Sequence, residues 1–173
     1  MRNFEIKVRI NKLDEILNLI KKSGAVFDCK MHHVDRYFNV GSYKKKIREI
    51  DDKDIQLISY SRREKVGRKE SEYDIKTLTT KEKSDFLDKH KIVCTVDKTR
   101  ELWIYKHTRV HIDFVKGLGR FLELEIVMDD INTEEGVREF NTILKLLEIN
   151  KKDSVACSYS DLILNNNKAF LMI

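Results

Sequence analysis

The sequence predicts an α+β fold, in which an antiparallel sheet is covered by helices on its outer side. Six segments alternate polar and apolar residues with a period of two, four segments show helical spacing, and the connections between them are short. The length of 173 residues suits one domain, and 41% hydrophobic residues are enough for a packed core. We therefore expect a single domain over residues 1–173, ending in a polar turn and a short tail from about residue 165.

The predicted strands have two chemically different faces. In the first, residues 3–10, every odd position is polar or charged and every even position is apolar. Five later segments alternate in a similar way: residues 43–50, 56–63, 96–103, 108–115 and 121–127. Gly117 and Gly119 mark a tight turn between the last two.

Helical spacing occurs before, between and after these strands. Asn11 is expected to cap a first helix that Gly24 ends, and residues 80–89 form a short second helix. Thr133 is expected to cap the third and clearest helix, which has acidic residues in its first turn. A fourth helix is predicted over residues 154–164.

Charge and cysteine content narrow the class of protein. Charged residues make up 36% of the chain, against roughly 25% in an average domain. The net charge of +5 fits either a mildly basic soluble protein or a protein with an anionic partner such as nucleic acid, an acidic membrane or phosphate, and the positions of the charges must decide between them. Cys29, Cys94 and Cys157 are far apart and form no CxxC pair, which argues against a disulfide framework and a zinc site. With no signal peptide and no apolar run near the roughly 20 residues of a membrane helix, we expect a cytoplasmic protein without a membrane partner.

Charges of one sign recur on single strand faces. Three like-charged pairs lie two residues apart: Lys46 with Arg48, Lys98 with Arg100, and Glu123 with Glu125. On one strand at a time, the simplest interpretation is a solvated face. Repeated like-charge repulsion, however, indicates a compensating ligand. Clustered Lys and Arg suit a polyphosphate, and clustered carboxylates suit Mg²⁺ or Mn²⁺.

A polar lumen inside a barrel reconciles this pattern with a folded core. The sequence has no phosphate-binding glycine loop, so side chains on several strands would have to bind phosphate. In a closed barrel, Phe4 and the other even residues of the first strand would meet the helices. Glu5, Lys7 and Arg9 would line the interior.

Short segments in order along the chain resemble a known family. They are residues 3–9, 35–38, 46–49, 57–62, 71–73, 98–100, 108–113, 117–119, 121–125 and 159–162. Residues 3–9 are similar to the ExExK signature of the CYTH superfamily, the triphosphate tunnel metalloenzymes. The whole set most resembles the branch of CyaB-type class IV adenylyl cyclases. Asn3 replaces the first Glu of the signature, and His33 stands where the family often has Gln, which we interpret as a packing variant.

The resemblance implies a fold, a cofactor and a set of site residues. The fold is a closed eight-stranded antiparallel barrel that forms a tunnel, and the cofactor is Mg²⁺ or Mn²⁺. The implied metal carboxylates are Glu5, Asp113, Glu123 and Glu125. The implied triphosphate-binding residues are Lys7, Arg9, Lys46, Arg48, Arg62, Lys98, Arg100 and Arg109. The implied catalytic residues are Glu5, Lys7, Arg62 and Asp113.

Three functions stay open at this point. A triphosphatase would direct water at the terminal phosphorus, whereas an adenylyl cyclase would direct the 3′-hydroxyl of ATP at the α-phosphate. A binding module would hold the triphosphate-bearing small molecule without turnover. We expect phosphate hydrolysis as the simpler chemistry. Residues 44–46 are interpreted as a solvated loop rather than a nucleic-acid patch, and an exposed sheet edge or the tail could support a homodimer.

Overall fold

The computed structural model describes residues 2–40, 43–65, 68–127 and 132–170, with side chains for residues 4–40, 44–59, 74–127 and 132–166. Its elements follow one another as β1 (Arg2–Arg9), α1 (Leu13–Lys22), β2 (Val26–Val40), β3 (Tyr43–Ile50), β4 (Asp54–Lys65), β5 (Arg68–Thr77), α2 (Thr80–Lys89), β6 (Cys94–Tyr105), β7 (Thr108–Val115), β8 (Gly119–Val127), α3 (Thr133–Leu146), a short 3₁₀ helix (Lys151–Asp153) and α4 (Tyr159–Phe170). The α+β class is confirmed.

All strand pairs in the described chain are antiparallel, in the order β1-β5-β4-β3-β2-β6-β7-β8. β1 pairs with both β5 and β8, so the strand order returns to its start and the sheet is a closed barrel. The β1–β8 register sets Glu5 opposite Glu125 and Lys7 opposite Glu123. Inward-facing side chains from distant parts of the chain are thereby brought side by side.

The six strands predicted from alternation are present, two of them with the predicted bounds. β2 and β5 were not among those six, and their composition explains why. β2 carries polar residues such as His33 and Asp35 on its inner face and Arg36 on the other, so its pattern is not a simple alternation. β5 is polar along most of its length. In a barrel with a charged interior, a strand need not have an apolar inner face.

Two predicted helix starts are wrong by one residue. Lys12, not Asn11, precedes α1, and it makes no capping hydrogen bond with its side chain. Asn132, not Thr133, caps α3, because its side-chain oxygen accepts from the backbone N–H of Glu134. The predicted stop at Gly24 is confirmed, since this glycine has a φ of 85° directly after the C-cap of α1.

The last helix lies further along the chain than predicted. α4 begins at Tyr159 and continues to Phe170, which includes most of the segment predicted as a turn and tail. Its start is set by a local cap: Ser158 Oγ accepts from the backbone N–H of Asp161, and the Ser158 N–H donates to the Asp161 carboxylate. Residues 171–173 lie outside the described residues.

The outer faces of the strands pack against the helices, as predicted for β1. Phe4, Ile6 and Val8 share one buried apolar cluster with residues of α1 and α3 such as Ile20 and Phe140. α2 packs on the outer faces of β2 and β3 in a second cluster. No helix in the described part of the chain combines the length and the apolar character needed to cross a membrane.

One end of the barrel is filled by the start of α4. Tyr159 lies in an apolar cluster with Val96, Val115 and Phe121, which come from the start of β6, the end of β7 and the start of β8. The Tyr159 and Phe121 rings meet edge to face with centroids 5.0 Å apart. The interior of the barrel is therefore bounded at this end by an aromatic side chain rather than by solvent.

Candidate functional site

The barrel encloses a charged cavity of about 380 Å³. All eight strands and the start of α4 contribute to its lining. The lining includes six cationic side chains: Lys7, Lys46, Arg48, Lys98, Arg100 and Arg109. It also includes four carboxylates: Glu5, Asp35, Glu123 and Glu125. Most of the charged residues predicted from alternating segments therefore do meet in one place.

Asp35 organises the first group of cations. It lies on β2 opposite Arg48 of β3, and both Arg48 Nε and Nη2 donate to its carboxylate at 2.7 and 2.8 Å. Lys46, two residues before Arg48 on the same face, donates from Nζ to Asp35 Oδ2 at 3.0 Å. Asp35 is only 2% exposed, so these are charge-assisted bonds in a dry environment. Asp35 was not among the predicted site residues.

Asp113 organises a second group in the same way. It lies on β7 opposite Arg100 of β6, which donates to both of its carboxylate oxygens at 2.6 Å. Lys98 donates to Oδ2 at 2.8 Å, and the Tyr159 hydroxyl donates to the same oxygen at 2.9 Å. Asp113 is completely buried and lies behind the cavity lining. Two Lys-x-Arg strands are therefore each anchored by an aspartate on a neighbouring strand.

These contacts revise the interpretation of the single-sign strands. The repulsion between Lys46 and Arg48 is offset by Asp35 across the sheet, and that between Lys98 and Arg100 by Asp113. Compensation therefore comes first from the neighbouring strand and does not require a ligand. The sequence could not show this, because the register of the two paired strands decides which residue lies opposite each cation.

The pKa values in the cavity reflect a positive potential. Burial opposes ionisation of Asp35, but Arg48 and Lys46 outweigh it and hold the pKa of this carboxyl well below its usual range. Burial, together with Arg48, lowers the pKa of Lys46 to about 7. Burial, together with Arg100, lowers the pKa of Lys98 to about 8. Burial and neighbouring cations disfavour the charged form of these lysines, so a bound anion would stabilise that form.

Carboxylates of β1 and β8 form the acidic side of the cavity. Glu5 and Glu125 are direct cross-strand neighbours, and Arg109 Nη1 lies 3.6 Å from Glu125 Oε2. Glu123 makes two closer ion pairs: Lys7 Nζ lies 3.2 Å from its Oε2, and Arg100 Nη2 lies 2.9 Å from its Oε1. Burial opposes its ionisation, but Lys7 and Arg100 keep the pKa of Glu123 well below its usual range.

The predicted metal carboxylates differ in how well they suit a cation. Glu5 and Glu125 present two adjacent oxygen donors to the cavity, which is what a hard divalent cation prefers. Glu123 shares its oxygens with two cationic side chains, and both oxygens of Asp113 already accept hydrogen bonds. Within the described residues, no three His, Cys, Asp or Glu side chains are placed to hold a metal ion together. A divalent cation on Glu5 and Glu125 would complete its coordination with phosphate oxygens and water.

Two of the predicted basic residues are not part of the described lining. Arg9 is exposed, donates from Nη1 to the Leu118 carbonyl at 3.0 Å and lies over the Phe121 ring. The side chain of Arg62 lies outside the described side chains, as does that of Asn3. The predicted roles of these residues and of Asp113 stay predictions.

Two histidines lie on the cavity wall. His111 is 3% exposed, and its Nδ1 lies 3.4 Å from Glu123 Oε1. Burial and the nearby Arg100 lower its pKa, against the effect of Glu123. His33 is equally buried, while its neighbour His32 lies on the opposite strand face and contacts Asp97 at 2.7 Å. The opposite orientation of the two adjacent histidines is as predicted.

The matches to known proteins agree with this architecture. A family model described as "CYTH domain" matches residues 1–159. The chain therefore belongs to the CYTH family. It is 33% identical to a protein of Methanocaldococcus jannaschii named "Putative adenylate cyclase", in an alignment that covers 94% of this chain and 98% of that protein.

Two solved structures illustrate the shared fold. The PH1012 protein of Pyrococcus horikoshii matches with a TM-score of 0.80 and 22% identity, covering 92% of this chain and 98% of that one. A Hippeastrum protein described as "Putative adenylyl cyclase HpAC1", with a dominant triphosphatase activity, matches with a TM-score of 0.69 and 14% identity. That match covers 95% of this chain and 96% of the Hippeastrum chain. At these identities the two structures support the fold alone.

Proposed function

We propose that this chain binds the triphosphate group of a small molecule inside the barrel and hydrolyses it with the help of Mg²⁺ or Mn²⁺. The observation that carries the proposal is the convergence of cations from β1, β3, β6 and β7 on one cavity, beside adjacent carboxylates of β1 and β8. Triphosphate is a compact polyanion that can satisfy many cations at once, which few other small ligands can do.

Different side chains would have different roles in binding the triphosphate. Arg48 and Arg100, held rigid by Asp35 and Asp113, would orient phosphate oxygens, and Lys46 and Lys98 would add charge next to them. Pre-oriented cations stabilise negative charge in a transition state without having to reorganise. A divalent cation held by Glu5 and Glu125 would supply further neutralisation of phosphate charge.

Adenylyl cyclase activity is the second candidate. It is favoured by the name of the Methanocaldococcus jannaschii relative at 33% identity. In that reaction, the 3′-hydroxyl of ATP attacks the α-phosphate and pyrophosphate leaves. The same cations would bind the triphosphate, so the two reactions differ in which phosphorus is attacked and not in the residues that hold it.

Product analysis separates these functions. The chain would be incubated with ATP, thiamine triphosphate and inorganic triphosphate, each with Mg²⁺ or Mn²⁺. We expect orthophosphate without cyclic AMP. Formation of cyclic AMP and pyrophosphate would instead identify the chain as an adenylyl cyclase. The absence of any product would indicate a protein that binds its ligand without turnover.

The Glu125→Gln substitution tests the metal side of the proposal. Replacing residues that only orient metal ligands typically costs about 10- to 100-fold in metal affinity or activity. Because Glu125 would contact the metal directly, we expect a loss in metal-dependent turnover of at least about that size, with little change in thermal stability. Glu101→Gln is the matched control, since Glu101 pairs with Lys30 outside the cavity. Full activity in Glu125→Gln would refute the assignment of this carboxylate.

A further inference from the structure

His33 is a buried polar residue whose ring has no hydrogen-bonding partner among the described residues. It is 3% exposed, and both Nδ1 and Nε2 are buried without a donor or acceptor in reach. Its side chain lines the cavity. Buried polar groups in proteins are nearly always hydrogen-bonded, so an unpartnered donor and acceptor facing a cavity needs an explanation.

The charges around His33 fix its chemical form. Burial, and then the nearby Arg48, Lys98 and Arg100, lower its pKa to about 2, while Asp35 acts in the opposite direction. The imidazole is therefore neutral at physiological pH, with one N–H donor and one nitrogen acceptor. A neutral ring that both donates and accepts suits a neutral hydrogen-bonding group better than a phosphate oxygen, which can only accept.

Apolar side chains adjoin His33 on the wall of the same cavity. Ile50 of β3 is its direct cross-strand neighbour. Met31 lies two residues away on the same strand face, and Leu102 of β6 lies diagonally beside Met31. These three residues offer no charge to a phosphate group, but they can contact the apolar surface of an organic group.

The two kinds of lining meet at His33. Its direct cross-strand neighbour on β6 is Lys98, and Arg100 lies opposite Met31, so on this side the cations border the apolar residues directly. On the other side of this residue along β2 comes Asp35, with the cations Lys46 and Arg48 that it holds. A ligand whose phosphates lie among the cations would therefore place its next group against His33, Met31, Ile50 and Leu102. His33 lies where the cationic part of the cavity borders these apolar residues.

We infer that His33, with Met31, Ile50 and Leu102, forms a specificity subsite for the organic portion of a triphosphate ester, and that His33 hydrogen-bonds a neutral group of that portion. This inference rests on the proposed function, because it assumes that the phosphates occupy the cationic part of the cavity. It assigns the site to organic triphosphates in preference to inorganic triphosphate. His33 thus acts in ligand recognition rather than as the packing variant expected from the sequence.

Calorimetric binding of two probes tests the subsite. The probes are the imido analogues of ATP and of inorganic triphosphate, titrated in EDTA. We expect wild-type protein to bind the ATP analogue more tightly. His33→Leu, which keeps the volume but removes hydrogen bonding, should weaken binding of the ATP analogue about five- to tenfold and leave the inorganic analogue within about twofold. His33→Gln, which still donates and accepts, should recover most of the loss.

Met31→Ala provides an independent variant in case His33→Leu fails to fold. It should weaken binding of the ATP analogue about threefold and leave the inorganic analogue unchanged, as expected for lost apolar contact. Equal weakening of both probes by the His33 variants would make His33 a phosphate contact and overturn the inference. The inference would also be overturned if the His33 variants bound both probes as tightly as wild-type protein does, or if wild-type protein bound the inorganic analogue more tightly than the ATP analogue. Failure of wild-type protein to bind either probe would instead refute the proposed function itself.

Discussion

Asp35 and Asp113 are the buried carboxylates that hold lysine and arginine side chains of the barrel interior in place. Each accepts hydrogen bonds from an arginine and a lysine on a neighbouring strand. Carboxylates of this kind hold the Lys and Arg side chains of the cavity in place. Because their oxygens already accept hydrogen bonds, they are poor candidates for direct contact with a metal ion. Glu5 and Glu125, which lie side by side on the cavity wall, are the better candidates. At the level of single residues, near-complete burial against an arginine and a lysine marks Asp35 and Asp113 as anchors, which the alternating pattern does not show.

The Asp113→Asn substitution measures this anchoring role. It leaves Lys98 and Arg100 in a buried position without their main counter-charge, so we expect the free energy of unfolding to fall by about 3 kcal/mol. Urea denaturation followed by circular dichroism measures the change. Asp97→Asn on the neighbouring strand is the control: Asp97 is 39% exposed, and we expect a loss below about 1 kcal/mol. Equal stability of the two variants would contradict the anchoring role.

The pH dependence of triphosphate binding tests the state of Lys46. Because its pKa in the empty cavity is about 7 and an anion favours the charged form, binding should take up a proton and weaken as the pH rises above 7. Lys46→Arg stays protonated at these pH values. Between pH 6 and pH 8, we expect wild-type affinity to fall about tenfold more than that of Lys46→Arg.

Calorimetry with inorganic triphosphate in EDTA at the two pH values makes this comparison. The titration of the ligand itself affects both proteins equally and cancels in the difference. Parallel pH profiles for the two proteins would show that Lys46 is already charged before the ligand arrives.

At the level of elements, α4 connects the outer layer to the site. Its first residue, Tyr159, closes one end of the barrel, donates to Asp113 and lies below two cationic groups, with Lys7 Nζ 4.1 Å and Lys98 Nζ 5.1 Å from the ring centroid. Burial, together with Glu123 and Asp113, raises the pKa of the Tyr159 hydroxyl far above its usual range, so it acts as a hydrogen-bond donor. The helix start thus supports the Asp113 anchor.

Two substitutions at Tyr159 separate the hydroxyl from the ring. Tyr159→Phe removes one buried hydrogen bond and should cost about 1 kcal/mol of unfolding free energy. Tyr159→Ala also removes the ring from the barrel end and should cost about 3–5 kcal/mol. Phe114→Ala is the control, because this ring is 54% exposed and its loss should change stability by less than about 0.5 kcal/mol. Denaturation midpoints in urea provide the measurement, and an Ala variant as stable as the Phe variant would show that the ring does not close the barrel end.

At the level of the whole molecule, the barrel concentrates positive charge in its interior. The described part of the cavity lining carries six cations against four carboxylates, with Asp113 behind it, so a net positive charge remains that a polyanion would neutralise. Binding to the native state alone also stabilises a protein by mass action. The free energy of unfolding should therefore rise more with added polyphosphate than with added salt of the same ionic strength.

Thermal unfolding with inorganic triphosphate tests this expectation. At a ligand concentration about a hundred times the Kd, the native state gains about 2.7 kcal/mol, which corresponds to a rise in Tm of roughly 5–10 °C for a domain of this size. Sodium chloride at equal ionic strength is the reference condition. Lys98→Ala should show a smaller rise and Lys30→Ala, on the outer surface, the full rise. The same Tm increase with sodium chloride would indicate general screening and not a site.

Much of the architecture could be predicted because its signals are local. Alternation along a strand depends only on neighbouring residues, so β3 and β7 were predicted with their observed bounds. The glycine that follows α1 is likewise a local signal. β2 and β5 gave no such signal, because polar residues stand at both odd and even positions of these strands and leave no consistently apolar face to alternate with.

The α+β class, the charged strand faces and most of the residues that meet in the cavity follow from the amino-acid sequence alone. Which charges neutralise one another follows only from the folded barrel, because an ion pair across two strands depends on register and not on spacing along the chain. Register placed Asp35 beside Arg48 and Asp113 beside Arg100, and among the described residues it left His33 without a hydrogen-bonding partner on the cavity wall. Electrostatic energy falls with distance in space, so the division of these residues between anchoring and binding could be known only once the strands were paired.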